Sequence, residues 1–401
     1  MGFATNFGNP SLGRLYALGV NETTYNTYES GTPLVAADAF EFLEFTWEGG
    51  NEEITKDDSR NGTLGDDSKK TGRKSSITAS VTAYIRPVST SVAPDIHPLI
   101  AASLGGLSGY TQPSSDHLYN WTTGTQPQTV QMLYQEPTKA FRFLGGSVTG
   151  ASLELNGSDW AKISLNIEFA TVRRVMPSTV ASGGGGATFV INEPYALDVD
   201  SVVAFYVGTG DVGATPNEDD TVGFLVTGVD AAGITITTSP VTPALTAGWY
   251  CLPYQLASTL AGSPIPQGLG SVKHDTNTYD NILSMKISWE TMQTTFNDAH
   301  GSTAPHDYVR EARRTVDVEI EYRDKINHTK MGADTWTPDG SSVALEWIQG
   351  STAGVRLLVA LPAVVFQGAH PDLGDGAASV WKMTGFALDS AGNDSLSIKL
   401  Y

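Results

Sequence analysis

The residues that could perform chemistry lie in charged clusters that no catalytic motif accompanies. His300 and the pair His306-Asp307 fall in a polar stretch, and no HExxH or CxxC pattern surrounds them. Asp57-Asp58 and Asp66-Asp67 offer the oxygen ligands that hard divalent cations prefer, but their spacing fits no calcium-binding loop. A Ser-His-Asp triad stays open because its members meet only in the fold, although no nucleophile-elbow sequence indicates one. We therefore expect a protein that is not an enzyme, with no catalytic residue, cofactor or metal ion.

Three carboxylates in the second half of the chain follow the periodicity of a β-strand. Asp317, Glu319 and Glu321 alternate with apolar residues between 316 and 322, and residues 77–85 alternate in the same way. Successive strand residues point to opposite faces, so each segment has one face for a core and one for water. This pattern is typical of an antiparallel sheet that is solvated on one side.

One succession of segments occurs twice. Residues 40–48 and 282–290 both end on Trp-Glu, and each leads into a long polar segment and then into an alternating strand. The sequence next predicts a short helix, at 95–104 in the first copy and at 341–349 in the second, because glycine follows each of them. We interpret the pattern as a duplication, with chance alignment as the alternative.

Further strands complete each copy, and a third segment lies between the copies. The predicted strands are 141–155 and 160–171 in the first copy, and 355–366, 380–388 and 395–401 in the second. The glycine run Ser182 to Gly186 is interpreted as a flexible joint. Short apolar strands separated by turn residues follow it and predict an inserted small β-barrel or sandwich. The predicted domains are 1–181, 187–254 and 255–401.

Composition and charge limit the protein class. The chain of 401 residues contains 42 Gly and 20 Pro and is rich in Thr, Ser and Val, which favours a mainly β fold. Its formal net charge of −19 opposes tight nonspecific binding to nucleic acid. The single cysteine, Cys251, cannot form an internal disulfide, and we expect a buried, inert thiol in a protein that folds in a reducing cytoplasm. We also expect no signal peptide and no membrane span.

Several of these segments together resemble the tail tube proteins, or major tail proteins, of long-tailed bacteriophages (siphophages). The resemblance lies in residues 40–47, in the charged loop with Lys56-Asp57-Asp58-Ser59 and Lys69 to Lys74, and in the strand and helix that follow. It covers the two copies and leaves out the inserted domain. It is a pattern of elements and contains no invariant motif.

The resemblance implies a fold, a function and partners. In that family a β-sandwich flanked by a helix assembles into rings whose inner sheets form a continuous barrel, and the rings stack into a tube. The implied fold class is mainly β, with two tandem sandwich units, each flanked by a short helix, and the inserted domain. With two units in one chain, three chains would form a ring of six units, and hexameric rings are the alternative. The implied location is the virion tail, assembled in the host cytoplasm.

The implied partners are copies of the same chain and other tail proteins, namely the tape measure, terminator and distal tail proteins. Double-stranded DNA would pass through the lumen without specific binding, and no membrane is involved. In this context Asp317, Glu319 and Glu321 are candidate lumen residues, because carboxylates repel passing phosphates. The alternative is that they are solvated charges on an outer face.

The charged loop from Gly49 to Lys74 is a candidate arm that reaches the adjacent ring and pairs with it by charge. An ordinary solvated loop is the alternative. The charged residues expected to serve ring stacking are Glu52, Glu53, Lys56, Asp57, Asp58, Arg60, Lys69, Lys70, Arg73 and Lys74.

Two other function classes compete with the tube. One is an adhesin of a phage or a cell surface, in which Trp121, Trp249 and Trp336 would stack on glycans. The other is an enzyme that acts on polysaccharide, which would need paired carboxylates in a cleft that the sequence does not locate.

Overall fold

The fold was analysed in a computed structural model of the chain. The structure describes residues 13–20, 34–50, 52–56, 69–87, 92–112, 116–121, 128–156, 159–183, 186–206, 223–242, 244–258, 260, 262–265, 270–274, 277–279, 282–291, 293–296, 307–310, 314–323, 342–350, 355–372, 380–390 and 394–401.

In the part of the chain that the structure describes, twelve strands and one α-helix lie between residues 14 and 175. They are β1 (Arg14–Val20), β2 (Ala39–Phe40), β3 (Glu44–Gly49), β4 (Glu52–Lys56), β5 (Lys69–Lys74), β6 (Ile77–Tyr84), α1 (His97–Ser103), β7 (Tyr110–Thr111), β8 (His117–Asn120), β9 (Thr129–Gln135), β10 (Ala140–Asn156), β11 (Lys162–Phe169) and β12 (Thr171–Val175). Two 3-10 turns, Ala36–Asp38 and Leu107–Gly109, accompany them.

Sixteen further strands follow. Those between 178 and 253 are β13 (Ser178–Gly183), β14 (Gly186–Ile191), β15 (Val202–Tyr206), β16 (Phe224–Val229), β17 (Thr235–Thr242) and β18 (Tyr250–Pro253). The last ten are β19 (Gly270–His274), β20 (Asn277–Tyr279), β21 (Ile282–Glu290), β22 (Gln293–Phe296), β23 (Asp307–Arg310), β24 (Thr315–Arg323), β25 (Val343–Gln349), β26 (Leu357–Asp372), β27 (Val380–Ala387) and β28 (Ser397–Leu400). The predicted mainly β class is confirmed.

A continuous antiparallel sheet of eight strands runs through both halves of the chain. Its order is β3-β6-β11-β10-β21-β24-β27-β26. The two halves meet where β10 pairs with β21, from Gly150 opposite Glu290 to Asn156 opposite Ser284. Strictly alternating burial along β6 and β24 gives the sheet one apolar face and one polar face, as the sequence predicted.

The long strands β10 and β26 each belong to two sheets. The first part of β10 pairs with β9 and β12, and β9 also pairs with β1, which pairs with β2; we call this set the first flanking sheet. The first part of β26 pairs with β25 and β28 in the second flanking sheet, whose order is β20-β19-β25-β26-β28-β8-β7. Irregular pairing marks the change of partners, between Phe143 and Gly146 in β10 and between Leu361 and Val364 in β26. A side chain at Gly146 would collide with the ring of Phe169, so this position requires glycine.

The apolar face of the eight-stranded sheet packs on one large core that extends from Leu15 to Leu400. Alternate residues of the first flanking sheet divide between this core and a second one. Val130 and Met132 of β9 belong to the large core, whereas Leu133 and Ala140 pack against the segment of β13 to β18. The layers are therefore the polar face, the eight-stranded sheet, the large core, the first flanking sheet and the β13–β18 segment.

The strands β13 to β18 form a closed barrel of six strands in the order β13-β14-β17-β16-β15-β18. The interpretation of Ser182 to Gly186 as a flexible joint is wrong, because Gly183 ends β13, Gly186 begins β14, and these strands pair within the barrel. The barrel thus begins before residue 187. The domain boundaries themselves stay a prediction. Cys251 is fully buried in this barrel, and burial raises the pKa of its thiol to about 12, as expected for an inert cysteine.

One predicted helix is confirmed and the other is wrong. Within 95–104 the chain forms α1, whose buried residues Leu99 to Ser103 lie in or beside the large core. The helix predicted at 341–349 is instead the strand β25. Leu345, Trp347 and Gln349 are buried at a period of two, and β25 is held between β19 and β26. Tertiary pairing and the β propensity of Val, Trp and Ile outweigh the local helix signals here.

Two titratable groups at the start of α1 give a pH prediction. Burial raises the pKa of Asp95 to about 6, so stability falls as pH rises from about 4 to 6. Burial, with a smaller effect of His117, lowers the pKa of His97 to about 4, so stability is lost as pH falls from about 6.5 to 4. The two contributions oppose each other in the native protein.

Single substitutions separate the two contributions. We expect Asp95→Asn to leave a protein that becomes more stable from pH 4 to 6.5, and His97→Asn to leave one that becomes less stable from pH 4 to 6, each by roughly 2 kcal/mol. Urea unfolding at each pH measures the slope. Parallel pH profiles of the two variants would contradict the assignment.

Candidate functional site

The polar face of the eight-stranded sheet carries a continuous arrangement of charge. Cross-strand register places its side chains in rows, for example Lys162, Glu154, Lys286 and Glu319 on adjacent strands. Among the side chains of this face that the structure describes, eight are acidic and four are basic, which gives a formal charge of −4 (4 − 8). The acids are Glu44, Glu48, Glu154, Glu168, Glu290, Asp317, Glu319 and Glu321, and the bases are Lys162, Lys286, Arg323 and Lys382.

The three carboxylates singled out from the sequence lie together on this face. Asp317 is exposed, and Glu319 and Glu321 are partly exposed. The ammonium group of Lys382 lies 2.8 Å from Oε1 of Glu321 and 3.5 Å from Oε1 of Glu319. The bond to Glu321, followed by the charges of both glutamates, raises the pKa of Lys382. This ion pairing leaves Asp317 as the carboxylate of the three that faces solvent most openly.

A shallow polar cavity of about 210 Å³ lies on the same face, over the junction of β10 and β21. Glu154, Lys286, Glu319 and Glu321 line it together with neighbouring polar residues. Acids and bases alternate across its floor. The junction is therefore polar and hydrated on one side and sealed by the large core on the other.

Both edges of the eight-stranded sheet are open among the residues that the structure describes. β3 pairs only with β6, and the part of β26 beyond Val364 pairs only with β27. Strand edges carry unpaired N–H and C=O groups that can pair with another chain. The sheet thus ends in two surfaces that are able to add a strand.

Trp47 lies on a strand with one open edge, Trp289 lies on a strand that is paired on both sides, and the two side chains differ in burial. Trp289, on β21 at the junction, is 1% exposed, and its indole Nε1 donates a hydrogen bond to the carbonyl oxygen of Ser103 at 3.1 Å. Trp47, on the open β3, is 37% exposed and packs against the rings of Phe141 and Phe143. An exposed tryptophan on a strand edge is a typical contact for another protein surface.

The charged loop contains a hairpin that sequence reasoning described only as a polar arm. β4 pairs with β5, with Glu52 opposite Lys74 and Lys56 opposite Lys69. Glu53, Lys70 and Arg73 also lie on these two strands, whereas Asp57, Asp58 and Arg60 lie outside the described residues. A second two-stranded hairpin, β22–β23, follows β21 as β4–β5 follows β3.

The next residues to place are the tryptophans suggested for glycan binding and the residues suggested as metal ligands. Trp121 is 4% exposed, with the guanidinium of Arg314 over its ring, so it offers no open glycan platform. Trp249 is partly buried against the barrel core, and Trp336 lies outside the described residues. His300, His306 and the pairs Asp57-Asp58 and Asp66-Asp67 also lie outside them. Within the described part of the chain, no group of three or more His, Cys, Asp or Glu side chains could hold a metal ion. Among the described helices, none has the length and apolar character needed to cross a membrane.

Neither a model of a known protein family nor a curated protein matches this chain. Functional inference therefore depends on the geometry. Sequence reasoning found the carboxylates on the polar face but did not identify which strands form the open edges, although 40–48 and 282–290 share a Trp-Glu ending.

Substitution of each tryptophan gives a pair of predictions for the stability of the unassembled chain. We expect Trp289→Ala to lower the free energy of unfolding by about 3–5 kcal/mol, because it opens a cavity at the junction and removes a buried donor. Trp47→Ala should cost less than half of that, because its ring is already partly in water. Urea unfolding of dilute protein measures both. Equal losses would contradict the assignment of an open edge at β3.

Proposed function

We propose that this chain is a structural subunit that assembles edge to edge into rings and stacked rings, as a tail tube protein of a long-tailed phage does, around a lumen that conducts DNA. The observation that carries the proposal is that both edges of the eight-stranded sheet are open in the described residues. The β10–β21 junction within the chain supplies a template for joining them.

The pairing pattern of the two halves supports a duplication. In the first half β3-β6-β11-β10 is joined through β10 to the set β1-β9-β10-β12; in the second half β21-β24-β27-β26 is joined through β26 to the set β19-β25-β26-β28. The strands occur in the same order along the sequence in both halves. The second unit differs in that no helix was found among its described residues.

If the halves are equivalent, each open edge strand corresponds to a strand of the other half that does have a partner on that side. β3 corresponds to β21, which is covered by β10; β26 corresponds to β10, which is covered by β21. The missing partner of β3 is then a β26 from another copy, and the missing partner of β26 is a β3. Such an interface is heterologous, and it forms a ring when the rotation closes. Closure removes every open edge.

Three chains are the proposed ring. They would contribute 24 strands, three times the eight of one sheet. At a spacing of about 4.8 Å the barrel would be about 37 Å across the backbone before strand tilt widens it, which is enough to admit double-stranded DNA. The polar face would line this lumen, and its excess of acids would repel the phosphates of the passing DNA.

The remaining parts have places in the same scheme. The barrel of β13–β18 lies beyond the first flanking sheet, on the side away from the polar face, so it would project from the outside of the tube. The β4–β5 hairpin would extend to the adjacent ring and contribute charge pairing to stacking. Other tail proteins would contact the ends of the tube.

A disulfide test examines the proposed junction. Ser152 opposes Ser288 within the chain, and the corresponding positions by register are Gly368 and Thr46. Oxidation of Thr46→Cys/Gly368→Cys should join neighbouring chains, because directly opposed strand positions are close enough for a disulfide. Buried Cys251 supplies little background. We expect a ladder on non-reducing gels that ends at three chains.

The control pair Glu48→Cys/Gly368→Cys is two residues out of register and should cross-link poorly. Monomer bands alone from assembled protein, or preferred cross-linking of the control pair, would contradict the junction. A ladder that ends at six would replace the three-chain ring by a six-chain one.

The hairpin prediction concerns stacking. Replacement of residues 51–74 by a short Gly-Ser linker should leave folded chains or rings that no longer form tubes, because the proposed inter-ring contact is removed. Negative-stain electron microscopy measures tube formation, and circular dichroism checks the fold. Tubes of normal length would refute the role.

The lumen prediction concerns charge. Asp317→Asn/Glu319→Gln/Glu321→Gln should raise the DNA affinity of the assembled protein by roughly ten-fold at low salt, because fewer charges repel phosphate. The control Asp116→Asn/Glu136→Gln/Glu346→Gln removes the same charge from outside the polar face and should change the affinity less. Fluorescence anisotropy with a short duplex at several salt concentrations measures both. Equal effects of the two triple variants would place the lumen elsewhere.

A further inference from the structure

The edge of β12 that faces away from β10 is covered by a short piece of the barrel. Among the described strands β12 pairs with β10 alone, so it is the last strand of the first flanking sheet on that side. It has five residues, the length of an average strand, and a free edge of that length can template the addition of another strand. Residues 196–198, which connect β14 to β15 and are called the covering segment here, lie along this edge, where Leu197 forms an antiparallel bridge with Val175.

The covering segment is bonded to β12 as a paired strand would be. The N–H of Met176 donates a hydrogen bond to the carbonyl oxygen of Ala196 at 2.8 Å. The N–H of Asp198 donates to the carbonyl oxygen of Arg174 at 3.1 Å. These backbone groups on the outer side of β12 are therefore satisfied within the chain.

The side chain of Asp198 adds a charge to this cover. Its carboxylate accepts a hydrogen bond from the backbone N–H of Arg174 at 2.9 Å and lies 3.6 Å from the Nε of the same residue. A charged side chain directed onto a strand edge opposes the regular pairing of an incoming strand. Pro177, two residues after the end of β12, has no N–H to offer to one. Backbone bonds, a carboxylate and a proline thus close the same edge.

Two strained residues hold the covering segment in place. Tyr195 and Asp200 lie on either side of it, have φ values of 59° and 69°, and are the residues other than glycine with positive φ in the described part of the chain. Such conformations cost free energy and persist where the surrounding contacts impose them. The N–H of Tyr195 donates to the carbonyl oxygen of Gly233 at 3.0 Å, and the N–H of Asp200 donates to that of Val226 at 2.9 Å. The barrel therefore fixes the segment at both ends.

The comparable edge in the second flanking sheet is closed by a full strand. β28 lies beside β26 as β12 lies beside β10, and its other side pairs with β8, from Ser397 opposite Asn120 to Leu400 opposite His117. Both edges are thus closed within the chain, one by a strand of the first half and the other by the barrel.

We propose that the barrel has a further function as an edge cap, in which the covering segment prevents another copy of the chain from adding a strand to β12. The buried Ala196 and Leu197 anchor the segment in the core that the barrel shares with the first flanking sheet. The strain at Tyr195 and Asp200 is the energetic cost of keeping it there. With β12 closed, strand addition between chains is directed to the open edges of the eight-stranded sheet. The function of the cap does not depend on ring formation.

The triple variant Ala196→Gly/Leu197→Gly/Asp198→Gly tests the cap, because it removes the buried anchor and the carboxylate and keeps the length of the connection. We expect larger species or precipitation at concentrations at which the native chain keeps a single sedimentation coefficient. Sedimentation velocity of the whole chain measures this, and circular dichroism checks the fold.

Hydrogen exchange of the β12 amides shows whether the edge has opened. Exchange at Arg174 and Met176 should become at least about ten-fold faster in the triple variant, because both amides lose their acceptors. The amides of Arg173 and Val175 face β10 in the alternating ladder and should stay protected. Mass spectrometry with residue resolution separates the two sets.

The matched control is Asp230→Gly/Ala231→Gly/Ala232→Gly, which changes another turn of the barrel, removes the same charge and should sediment as the native chain does. Asp198→Ala removes a single bond and should speed exchange at Arg174, which covers the case in which the triple variant fails to fold. Unchanged exchange at Arg174 in both Asp198 variants would overturn the proposal. So would faster exchange of the triple variant without larger species, or equal association of the control.

Discussion

The main constraint on this structure is that a strand edge must satisfy its backbone hydrogen bonds. A sheet of eight strands built by one chain has two edges, and in the described residues these are β3 and the end of β26. Within the chain, the edges of β10 and β21 satisfy each other's backbone hydrogen bonds, because these two strands pair. Trp289 on the paired β21 is buried, whereas Trp47 on the open β3 is exposed. The proposed assembly repeats between chains what the fold already does within one.

The layers divide the tasks among surfaces. The apolar face of the sheet is buried against the large core and the flanking sheets, so the polar face stays in water and carries a mixture of charges. The barrel is attached behind the first flanking sheet, and the core that they share contains no described residue of β3 or β26. The long strands β10 and β26 connect these layers, because each takes part in two sheets. Residues that serve folding and residues available for partners therefore lie on different faces.

Much of the local structure could be predicted from the sequence, because a strand with one wet face has a strict period of two. This holds for β6, β11 and β24, and for the acids at 317, 319 and 321. The sequence predicts a helix at 341–349, whereas pairing with the neighbours β19 and β26 makes this segment a strand. The β10–β21 junction joins residues more than 120 positions apart, and no local pattern encodes such a pairing. The sequence could not predict that Arg142 lies opposite Arg173 either, because the register between distant strands decides which residues face each other.

The β10–β21 junction has a kinetic consequence for the proposed ring. A tethered partner acts at a high effective concentration, so this contact forms at folding and does not depend on protein concentration. A ring of six units would then contain three contacts between molecules instead of six. The assembly nucleus would contain fewer molecules. Assembly would therefore begin at lower protein concentrations than for a single-unit protein with the same interface. In the proposed duplication the two halves of the chain need not be identical, so one half could carry the barrel while the other does not, and the outer surface of the ring would show a three-fold pattern over a six-fold wall.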